Sequence, residues 1–530
     1  MNDRVPRTRL TALAGALLCG TIVLSSCGGS GSGSGDGGGT AAAPAAPVLT
    51  SSAAFPVIQT DPRFRVEKVA AGLTYATGMA WDNQGRLHVL EAGGGFTEEV
   101  PPARILRVEP NGQTTVIVNL TDRGVADSAV GLAFFQGAFY VSHRDARDRS
   151  GAVSRVAPDG TLTTILTGIL DSQSEHQVND LRVGPDGRMY LASGPATNSG
   201  VVGLDSAPFV MRSPLVQARP CQDTVLTGQN FLTPDFRTTD PSDTVRTGAF
   251  VPFGTETTPG QVIRGVRKCG GAIFSFDPNN AEATLQPYAT GFRNIIGFAW
   301  NARNEMFAAV NGYDVRGSRP VNDPWDATYK VRAGTWYGWP DFSATLEPVT
   351  DAKFDSPDSL KAPVYVNGQL QGKPLRFLID HTASGLKAPD RSLVHGLHES
   401  NSSPSLIDVA PASWGEFAGQ AFTAEWGDLA PATTPLRDGF SGFMISRIDP
   451  AAGLERIPFL RNAKRGPASA QEATGKGLER PFGVRFGPDG AMYISDYGIG
   501  RVNPPRAAQG QVPYEFPPQT GAVWKVTRVQ

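Results

Sequence analysis

Six segments of the chain repeat one pattern of apolar and polar positions: an apolar strand, a short turn, and a second apolar strand that ends in a polar residue. Two of the turns are Pro-Asp-Gly, at 185–187 and 488–490. In such a turn proline presets φ, aspartate bonds the backbone beyond it, and glycine accepts a positive φ. The pattern therefore predicts six β-hairpins. They span Gly78–Glu91, Gly131–His143, Asp180–Ser193, Gly297–Asn311, Asp408–Glu425 and Gly483–Asp496.

A second pattern alternates with the first and reads small, apolar, any residue, apolar. Its copies are Ile105–Pro110, Val153–Val156, Ile273–Pro278, Thr328–Arg332, Ile445–Pro450 and Val523–Val526. With two strands from each pattern, every unit supplies one four-stranded antiparallel sheet, which is one blade of a β-propeller. We therefore predict an all-β, six-bladed β-propeller over residues 61–530. A β-sandwich or two smaller β domains would not require six in-phase copies.

The spacing of the repeats is uneven. It predicts long loop insertions at about residues 195–268, 313–333 and 343–403. Long insertions on a rigid scaffold are where binding usually resides. The first insertion contains Cys221, and Cys269 follows it directly.

The N-terminal segment has the pattern of an export signal. Three arginines precede an apolar stretch, Leu10–Leu24, that is too short for a comfortable transmembrane helix. The stretch ends in Leu24–Cys27, which resembles the bacterial lipobox, and the resemblance implies cleavage after residue 26 and lipidation of Cys27. An ordinary signal peptide with an incidental cysteine is the alternative. Residues 27–60 are rich in Gly, Ser, Ala and Pro and are expected to form a flexible tether.

These segments predict a lipid-anchored protein of the cell envelope, facing the periplasm or attached to the outer membrane. In such an oxidising compartment Cys221 and Cys269 are expected to form a disulfide. A zinc site is less favoured, because two cysteines without nearby histidines do not complete a zinc shell. The charge is nearly balanced, with 48 basic and 50 acidic residues. We expect no nucleic-acid partner, which would need a concentrated basic face.

In an antiparallel blade, the first strand begins at the face where the second strand ends. Residues before the first strands and after the second strands should therefore share one mouth of a central channel. Before the first strands lie Asp127, Glu175, His176, Arg293, Asn294, His398 and Arg480; after the second strands lie Glu91, His143, Asn198, Asp314, Glu425, Asp428 and Asp496. Three of the six histidines fall on this mouth, although a solvated rim could look similar.

Several of these segments resemble motifs of the soluble glucose/sorbosone dehydrogenases that use pyrroloquinoline quinone (PQQ). Glu175–Gln177, followed by Val183–Tyr190, resembles their general-base segment, and Gly291–Asn294 resembles their Gly-x-Arg-Asn motif. Trp336–Pro340, Ala421–Gly427 and Arg480–Val484 are similar to further stretches of the family. The likeness runs from about Phe64 to Val529.

The resemblance implies oxidation of a sugar or a related aldehyde or alcohol by hydride transfer to PQQ, with Ca²⁺ polarising the quinone. Carried over by motif, His176 is the general base and Glu175 its neighbouring carboxylate. Arg293, Asn294 and Arg480 are implied to contact the cofactor. Backbone oxygens near Gly312 and Tyr313 are implied to bind the calcium ion, which prefers oxygen ligands.

The chain departs from the family at several positions. Ala327 stands where the family has a glutamate of an Asp-Glu pair, and Ala126 and Phe482 replace a glutamine and an arginine. No lysine matches the family's cofactor lysine. Two other functions therefore remain open: a non-catalytic propeller that binds a glycan or a protein, and a calcium-dependent lactone hydrolase using Glu91, Glu425 and Asp496. The sugar and the electron acceptor are not identified by the sequence.

Overall fold

The structure is a computed structural model and describes residues 48–94, 100–430, 434–437, 439–503, 505–506 and 513–529. The signal peptide, Cys27 and residues 28–47 of the tether lie outside these ranges.

Six antiparallel sheets follow one another along the chain and are numbered here 1 to 6. Sheet 1 contains Ala76–Trp81, Leu87–Ala92, Ala103–Val108 and Thr114–Asn119, and sheet 2 contains Leu132–Phe135, Ala138–Arg144, Gly151–Val156 and Leu162–Ile169. Sheet 3 contains Val178–Val183, Met189–Ser193, Ala272–Phe276 and Gln286–Thr290, and sheet 4 contains Asn294–Trp300, Met306–Asn311, Trp325–Val331 and Val394–Glu399. Sheet 5 contains Pro404–Val409, Ala421–Glu425, Met444–Ile448 and Ile457–Asn462. Sheet 6 contains Pro481–Phe486, Met492–Asp496, Gly521–Arg528 and Phe64–Leu73.

The six predicted hairpins coincide with the first two strands of these sheets. Their turns behave as the sequence predicts: Gly187 and Gly490 have φ of 76° and 75°. Asp186 and Asp489 accept hydrogen bonds from backbone N–H groups two residues ahead, at 3.1 Å in both cases. Turn chemistry and strand alternation therefore act together in each unit.

The first strands of sheets 1 to 6 lie against one another in sequence order, and the first strand of sheet 6 lies against that of sheet 1. Apolar cores fill the spaces between consecutive sheets. Sheet 6 joins the two ends of the described chain, since Phe64–Leu73 pairs with Gly521–Arg528. The chain is thus nearly all-β and is built mainly of four-stranded antiparallel sheets, as in a propeller.

Two arginines and two aspartates join the far ends of three first strands. Arg485 of sheet 6 donates to Asp180 of sheet 3 at 2.6 Å. Arg182 of sheet 3 donates to Asp408 of sheet 5 at 3.1 Å, and both arginines also donate to the carbonyl of Ile407. We call Asp180, Arg182, Asp408 and Arg485 the base network, because they lie at the end of the first strands opposite the mouth.

The insertions form a subdomain with its own core. They lie between Ser193 and Ala272 in sheet 3 and between Val331 and Val394 in sheet 4, and they share a sheet of Thr244–Gly248, Asn230–Pro234, Val364–Val366 and Gln369–Leu370. Thr224–Val225 pairs with Val262–Ile263 nearby.

Three predicted ranges differ from the structure. Trp325–Val331 and Val394–Glu399 are strands of sheet 4, so the ranges 313–333 and 343–403 are not insertions throughout. The alternation of apolar and polar positions is weak in these ranges, because the third strand of sheet 4 follows an irregular loop and the fourth follows a long insertion. Thr50–Ser51 and Ile58–Thr60 extend sheet 5, so folded structure begins before residue 61.

The helices are short. In the described parts of the chain, the α-helices include Ala207–Arg212 and Ala281–Thr284, and the 3-10 helices include Thr121–Arg123, Leu170–Gln173, Leu204–Ser206, Ala352–Phe354, Asp358–Leu360, Arg391–Leu393, Ala412–Phe417 and Ala468–Gln471. The remaining strands, Arg501–Val502 and Tyr514–Glu515, pair with each other. Within the described chain, no helix has the length and apolar character needed to cross a membrane.

Candidate functional site

His176 lies in the loop that leads into the first strand of sheet 3. Its Nδ1 is 2.6 Å from the carbonyl oxygen of Pro195. A carbonyl only accepts, so Nδ1 carries the hydrogen and Nε2 of the neutral ring keeps its lone pair. Gly194 makes room for this ring, because a Cβ there would stand 2.6 Å from the Cβ of His176 and 2.5 Å from Oδ1 of Asn294.

The surroundings of His176 favour its neutral form. Burial lowers the pKa of the ring well below its ordinary value, and the positive charges of Arg293 and Arg316 lower it further. The Pro195 carbonyl and Asp314 act in the opposite direction but are outweighed. His176 is therefore a neutral imidazole with one free nitrogen, which is the state that a general base requires.

Arg293 and Asn294 come together with His176, as the sequence predicts for the mouth. The guanidinium of Arg293 donates to Oδ1 of Asn198 and to Oδ2 of Asp314, both at 2.9 Å. Asn294 opens the first strand of sheet 4 and accepts a hydrogen bond from Nδ2 of Asn179 at 3.2 Å.

Arg316 is surrounded by three carboxylates. It donates to Asp205 at 2.8 Å, to Asp314 at 3.0 Å, and to Glu175. Burial opposes its charge, but the three carboxylates hold the pKa of Arg316 well above its ordinary value. We call Glu175, His176, Asp205, Arg293, Asp314 and Arg316 the mouth cluster.

Two carboxylates of the mouth cluster have unusual environments. Burial raises the pKa of Asp205 to about 6, and Glu175 and Asp314 add to the rise. Burial would also raise the pKa of Asp314, but Arg293 and Arg316 outweigh it and hold that pKa below its ordinary value. Asp314 is therefore the firmly ionised partner of both arginines.

Several buried polar atoms of this region have no protein partner. They are Oε1 of Glu175, Oδ1 of Asp205, Oδ1 of Asn311 and Nε of Arg293. Unsatisfied buried polar atoms in a native protein call for a partner such as a ligand or a water molecule. Three of the four are acceptors, and sugar hydroxyls can donate to acceptors.

Arg480 lies at the same end of the first strands but outside the mouth cluster. Its guanidinium donates to the carbonyl groups of Trp426, Gly427, Asp428 and Gly500 and lies over the Trp426 ring at 4.2 Å. Its donors are thus used to join the loops of sheets 5 and 6. The sequence motif does not reveal these carbonyl partners, and the cofactor contact of Arg480 stays a prediction.

Charges of both regions act on Tyr514. Burial raises the pKa of its hydroxyl, Arg316 and Arg480 act to lower that pKa, and Asp314 and Glu175 act to raise it. Tyr514 belongs to the pair of short strands, Arg501–Val502 and Tyr514–Glu515, that follows sheet 6's second strand.

The backbone oxygens near Gly312 and Tyr313 stay the predicted calcium ligands, while other atoms of these two residues bond within the protein. The backbone N–H of Gly312 donates to Asp326 at 2.7 Å, and the hydroxyl of Tyr313 donates to the carbonyl of Phe342 at 2.9 Å. In the described parts of the chain, no group of three or more His, Cys, Asp or Glu side chains is placed to hold a metal ion. Of the carboxylates beside this loop, Asp314 pairs with two arginines, whereas Asp326 accepts backbone N–H groups.

Two of the three histidines predicted for the mouth are interior residues of the sheets. Nε2 of His143 is bonded to Ser154 Oγ, and Nε2 of His398 is bonded to Thr328 Oγ1, both at 2.8 Å. His398 also contacts Glu425 at 2.9 Å through Nδ1. His143 and His398 are fully buried and hold neighbouring strands together, so only His176 belongs to the mouth cluster.

The carboxylates required for a lactone hydrolase do not converge either. Glu91 pairs with Arg104 in sheet 1, Glu425 pairs with Arg456 in sheet 5, and Asp496 accepts backbone N–H groups of Glu479 and Arg480. The three carboxylates thus have different partners, and Oε2 of Glu425 has no hydrogen-bond partner.

The predicted disulfide between Cys221 and Cys269 is confirmed. It ties the first insertion to the start of the third strand of sheet 3.

The sequence did not indicate the roles of Gly194, Asp205 and Arg316. Asp205 lies in an insertion that carries no repeat, so no periodic signal marks it. Gly194 directly follows a predicted second strand, which is the one feature that could have drawn attention to it.

No protein-family model matches the chain, and no curated protein matches its sequence. Solved structures do match. The holo form of the PQQ domain of pyranose dehydrogenase from Coprinopsis cinerea is 15% identical, with a TM-score of 0.51 over 90% of this chain and 100% of that chain. The calcium structure of Carbohydrate-Active Enzymes Family AA12 from Trichoderma reesei is 13% identical, with a TM-score of 0.51 over 91% and 99%.

PQQ-bound aldose sugar dehydrogenase from Streptomyces coelicolor is 16% identical, with a TM-score of 0.46 over 87% of this chain and 98% of that chain. The two structures with TM-scores of 0.51, one of them the PQQ domain of a pyranose dehydrogenase, confirm the resemblance predicted from the motifs at the level of the fold. At such identities the likeness shows the fold alone.

Proposed function

We propose that sheets 1 to 6 are the six blades of one propeller and that the mouth cluster oxidises a sugar or a related aldehyde or alcohol, with PQQ as hydride acceptor. The observation that carries this proposal is the state of His176: a buried, neutral ring whose Nδ1 is fixed by the Pro195 carbonyl and whose Nε2 is free. The motifs around His176 and Arg293 and the shared fold support the same function.

In this proposal the residues of the mouth cluster bind the sugar and move one proton. Oε1 of Glu175 and Oδ1 of Asp205, which lack partners, accept hydrogen bonds from sugar hydroxyls. Nε2 of His176 takes the proton of the hydroxyl being oxidised. Glu175 Oε1, at 3.7 Å from that nitrogen, stabilises the imidazolium that forms.

The residues do not fit PQQ itself as they are placed. Its three carboxylates require free cationic donors. Nε of Arg293 has no partner, but its Nη2 is bonded to Asp314, Arg316 donates to three carboxylates, and Arg480 donates to carbonyl groups. Two surface cavities, of about 810 and 590 Å³, are lined by other residues. The assignment of PQQ therefore rests on the sequence motifs, and the sugar-binding role rests on the contacts described above.

Reconstitution tests the proposed activity. Purified protein with PQQ and Ca²⁺ should reduce an artificial dye when supplied with members of an aldose and alditol panel, and omission of PQQ should abolish the signal. The control is the same protein with PQQ and Ca²⁺ but without sugar. Absence of PQQ binding at micromolar concentration, measured by quenching of intrinsic fluorescence, would contradict the proposal.

A non-catalytic glycan-binding propeller is the second candidate, and a specific observation favours it: the arginines of the mouth cluster are already paired with carboxylates. This function predicts binding on a glycan array without PQQ. The binding should survive His176→Ala, whereas the proposed dehydrogenase needs that ring for turnover.

We also propose that the protein acts at the cell envelope, attached through a lipid on Cys27. The support is the sequence of residues 1–27 alone. Expression with a radiolabelled fatty acid should label the wild-type chain and leave Cys27→Ser unlabelled and released into the soluble fraction. Equal membrane association of both proteins would refute the anchor.

A further inference from the structure

Three separate segments of the chain each bring one carboxylate to the same guanidinium. Glu175 comes from the loop before sheet 3, Asp205 from the first insertion, and Asp314 from the loop after the second strand of sheet 4. The guanidinium belongs to Arg316. No other arginine of the described chain forms ion pairs with three different carboxylates.

A divalent cation can also join carboxylates from separate segments, although these three, as they stand around the guanidinium, do not form a metal-ligand group. Calcium ions gather carboxylate and carbonyl oxygens from separate loops at 2.3–2.6 Å. Here the carboxylates stand at ordinary hydrogen-bond distances from an arginine, 2.8 Å for Asp205 and 3.0 Å for Asp314. Ionised carboxylates in a buried region need a cation beside them, and Arg316 supplies one here.

We infer that Arg316 is the resident cation of the mouth, so that its guanidinium occupies the position among Glu175, Asp205 and Asp314 that a divalent cation would otherwise take. The chain therefore needs no calcium ion at these carboxylates. Removal of the guanidinium converts the same carboxylates into a site for a hard divalent cation such as Ca²⁺.

A second observation supports a cation site rather than a simple ion-pair network. Oε1 of Glu175 and Oδ1 of Asp205 have no protein partner, although the Asp205 side chain is only 9% exposed. Because a guanidinium is planar and its donors are directional, it reaches one oxygen of each of these carboxylates and leaves the other unused. A spherical ion would use such oxygens in bidentate contacts.

The resident guanidinium also has a positional consequence. It holds Oε2 of Glu175, which leaves Oε1 at 3.7 Å from Nε2 of His176. A guanidinium thus fixes the carboxylate beside the free histidine nitrogen without a metal ion. The inference does not rest on the proposed activity, since metal binding and unfolding are measured without substrate.

The test compares Ca²⁺ binding by the wild type, Arg316→Ala and Arg316→Lys, using isothermal titration calorimetry and thermal unfolding. Arg316→Lys keeps a cation and serves as the matched control. We expect the wild type and Arg316→Lys to show no saturable Ca²⁺ binding at these carboxylates. Arg316→Ala should melt at a lower temperature, gain one saturable site, and recover about 2–4 °C of Tm in excess Ca²⁺.

The double variant Arg316→Ala/Asp205→Asn should lose the acquired site. Folded Arg316→Ala that neither binds Ca²⁺ nor gains stability from it would overturn the inference. If Arg316→Ala does not fold, Ca²⁺ binding by the wild type is the test. Binding to the wild type that is lost in Asp205→Asn would show that a metal displaces the guanidinium, and it would also overturn the inference. Absence of such binding, together with a stable Arg316→Lys, supports it.

Discussion

The two ends of the first strands carry the same kinds of charged side chain in different states. The base network has two arginines and two aspartates, whereas the mouth cluster has two arginines and three carboxylates. Burial does not separate them, since side-chain exposure is 0–17% at the base and 6–18% at the mouth. The difference lies in how completely the carboxylate oxygens are paired.

At the base, every carboxylate oxygen is used. Asp180 accepts from Arg485 and from the N–H groups of Leu181 and Phe298, and Asp408 accepts from Arg182 and from neighbouring N–H groups. At the mouth, Glu175 and Asp205 each keep one unused oxygen. A closed network stabilises the fold, whereas an open one is available to a ligand.

The largest expected effect lies at the base. Asp180→Ala leaves Arg485 and Arg182 buried with one fewer counter-charge, and removal of one partner of a buried ion pair costs about 3–5 kcal/mol. Urea unfolding followed by fluorescence should show this loss. The control is Arg303→Ala, which breaks an exposed pair with Glu305 and should cost less than about 1 kcal/mol. Equal stability of Asp180→Ala and Arg303→Ala would contradict the view that the base network stabilises the fold.

The second effect lies at the mouth and concerns geometry. In Gly194→Ala the new Cβ would stand 2.6 Å from the Cβ of His176, so the ring must move. A displacement of about 1 Å can cost about 100-fold in rate. We expect kcat/KM for the sugar to fall by about this factor, while overpacking costs about 1–3 kcal/mol of stability. Unchanged kcat/KM in a folded Gly194→Ala variant would show that Gly194 does not help to position the reacting groups.

The smallest effect is a pH dependence. His176 is buried and faces Arg293, Arg316, Asp314 and the Pro195 carbonyl, and its pKa lies well below the ordinary value. As pH falls below about 6.5, the unfolded chain takes up the proton first, so native stability decreases. The contribution is fully present above that pH and is lost as pH falls through the folded pKa.

An NMR titration measures this property directly. The ring C–H resonance that disappears in His176→Gln should titrate well below pH 6.5, and the stability of that variant should fall less than that of the wild type between pH 7.5 and pH 5. A midpoint at or above 6.5 would show that the ring is solvated or paired with an anion, against the described geometry.

The parts of this protein that repeat were predictable from the sequence. The alternation of apolar and polar positions in strands and the Pro-Asp-Gly turns are local signals. They predicted the six hairpins and the end of the first strands at which His176 and Arg293 lie. The disulfide followed from the presence of only two cysteines beyond residue 27. These signals depend on neighbours along the chain and not on distant contacts.

The parts that failed depend on contacts between distant segments. Arg480 looks like a free cation in the sequence, but four carbonyl groups from two sheets take up its donors. Arg316 pairs with Glu175, which lies 141 residues earlier in the chain, and Asp205 lies in an insertion without periodicity. His143 and His398 are of a residue type that is common in functional sites, yet both are buried among the strands.

The most direct test of the central claim, that the mouth cluster performs chemistry through His176, compares sugar-dependent dye reduction by the wild type, His176→Gln and His381→Gln. His381 lies in the insertion against Asp341, and glutamine there can still donate to that carboxylate. The account predicts a loss of about 100-fold or more in kcat/KM for His176→Gln alone, with Tm close to that of the wild type. Wild-type kcat/KM in His176→Gln would contradict it.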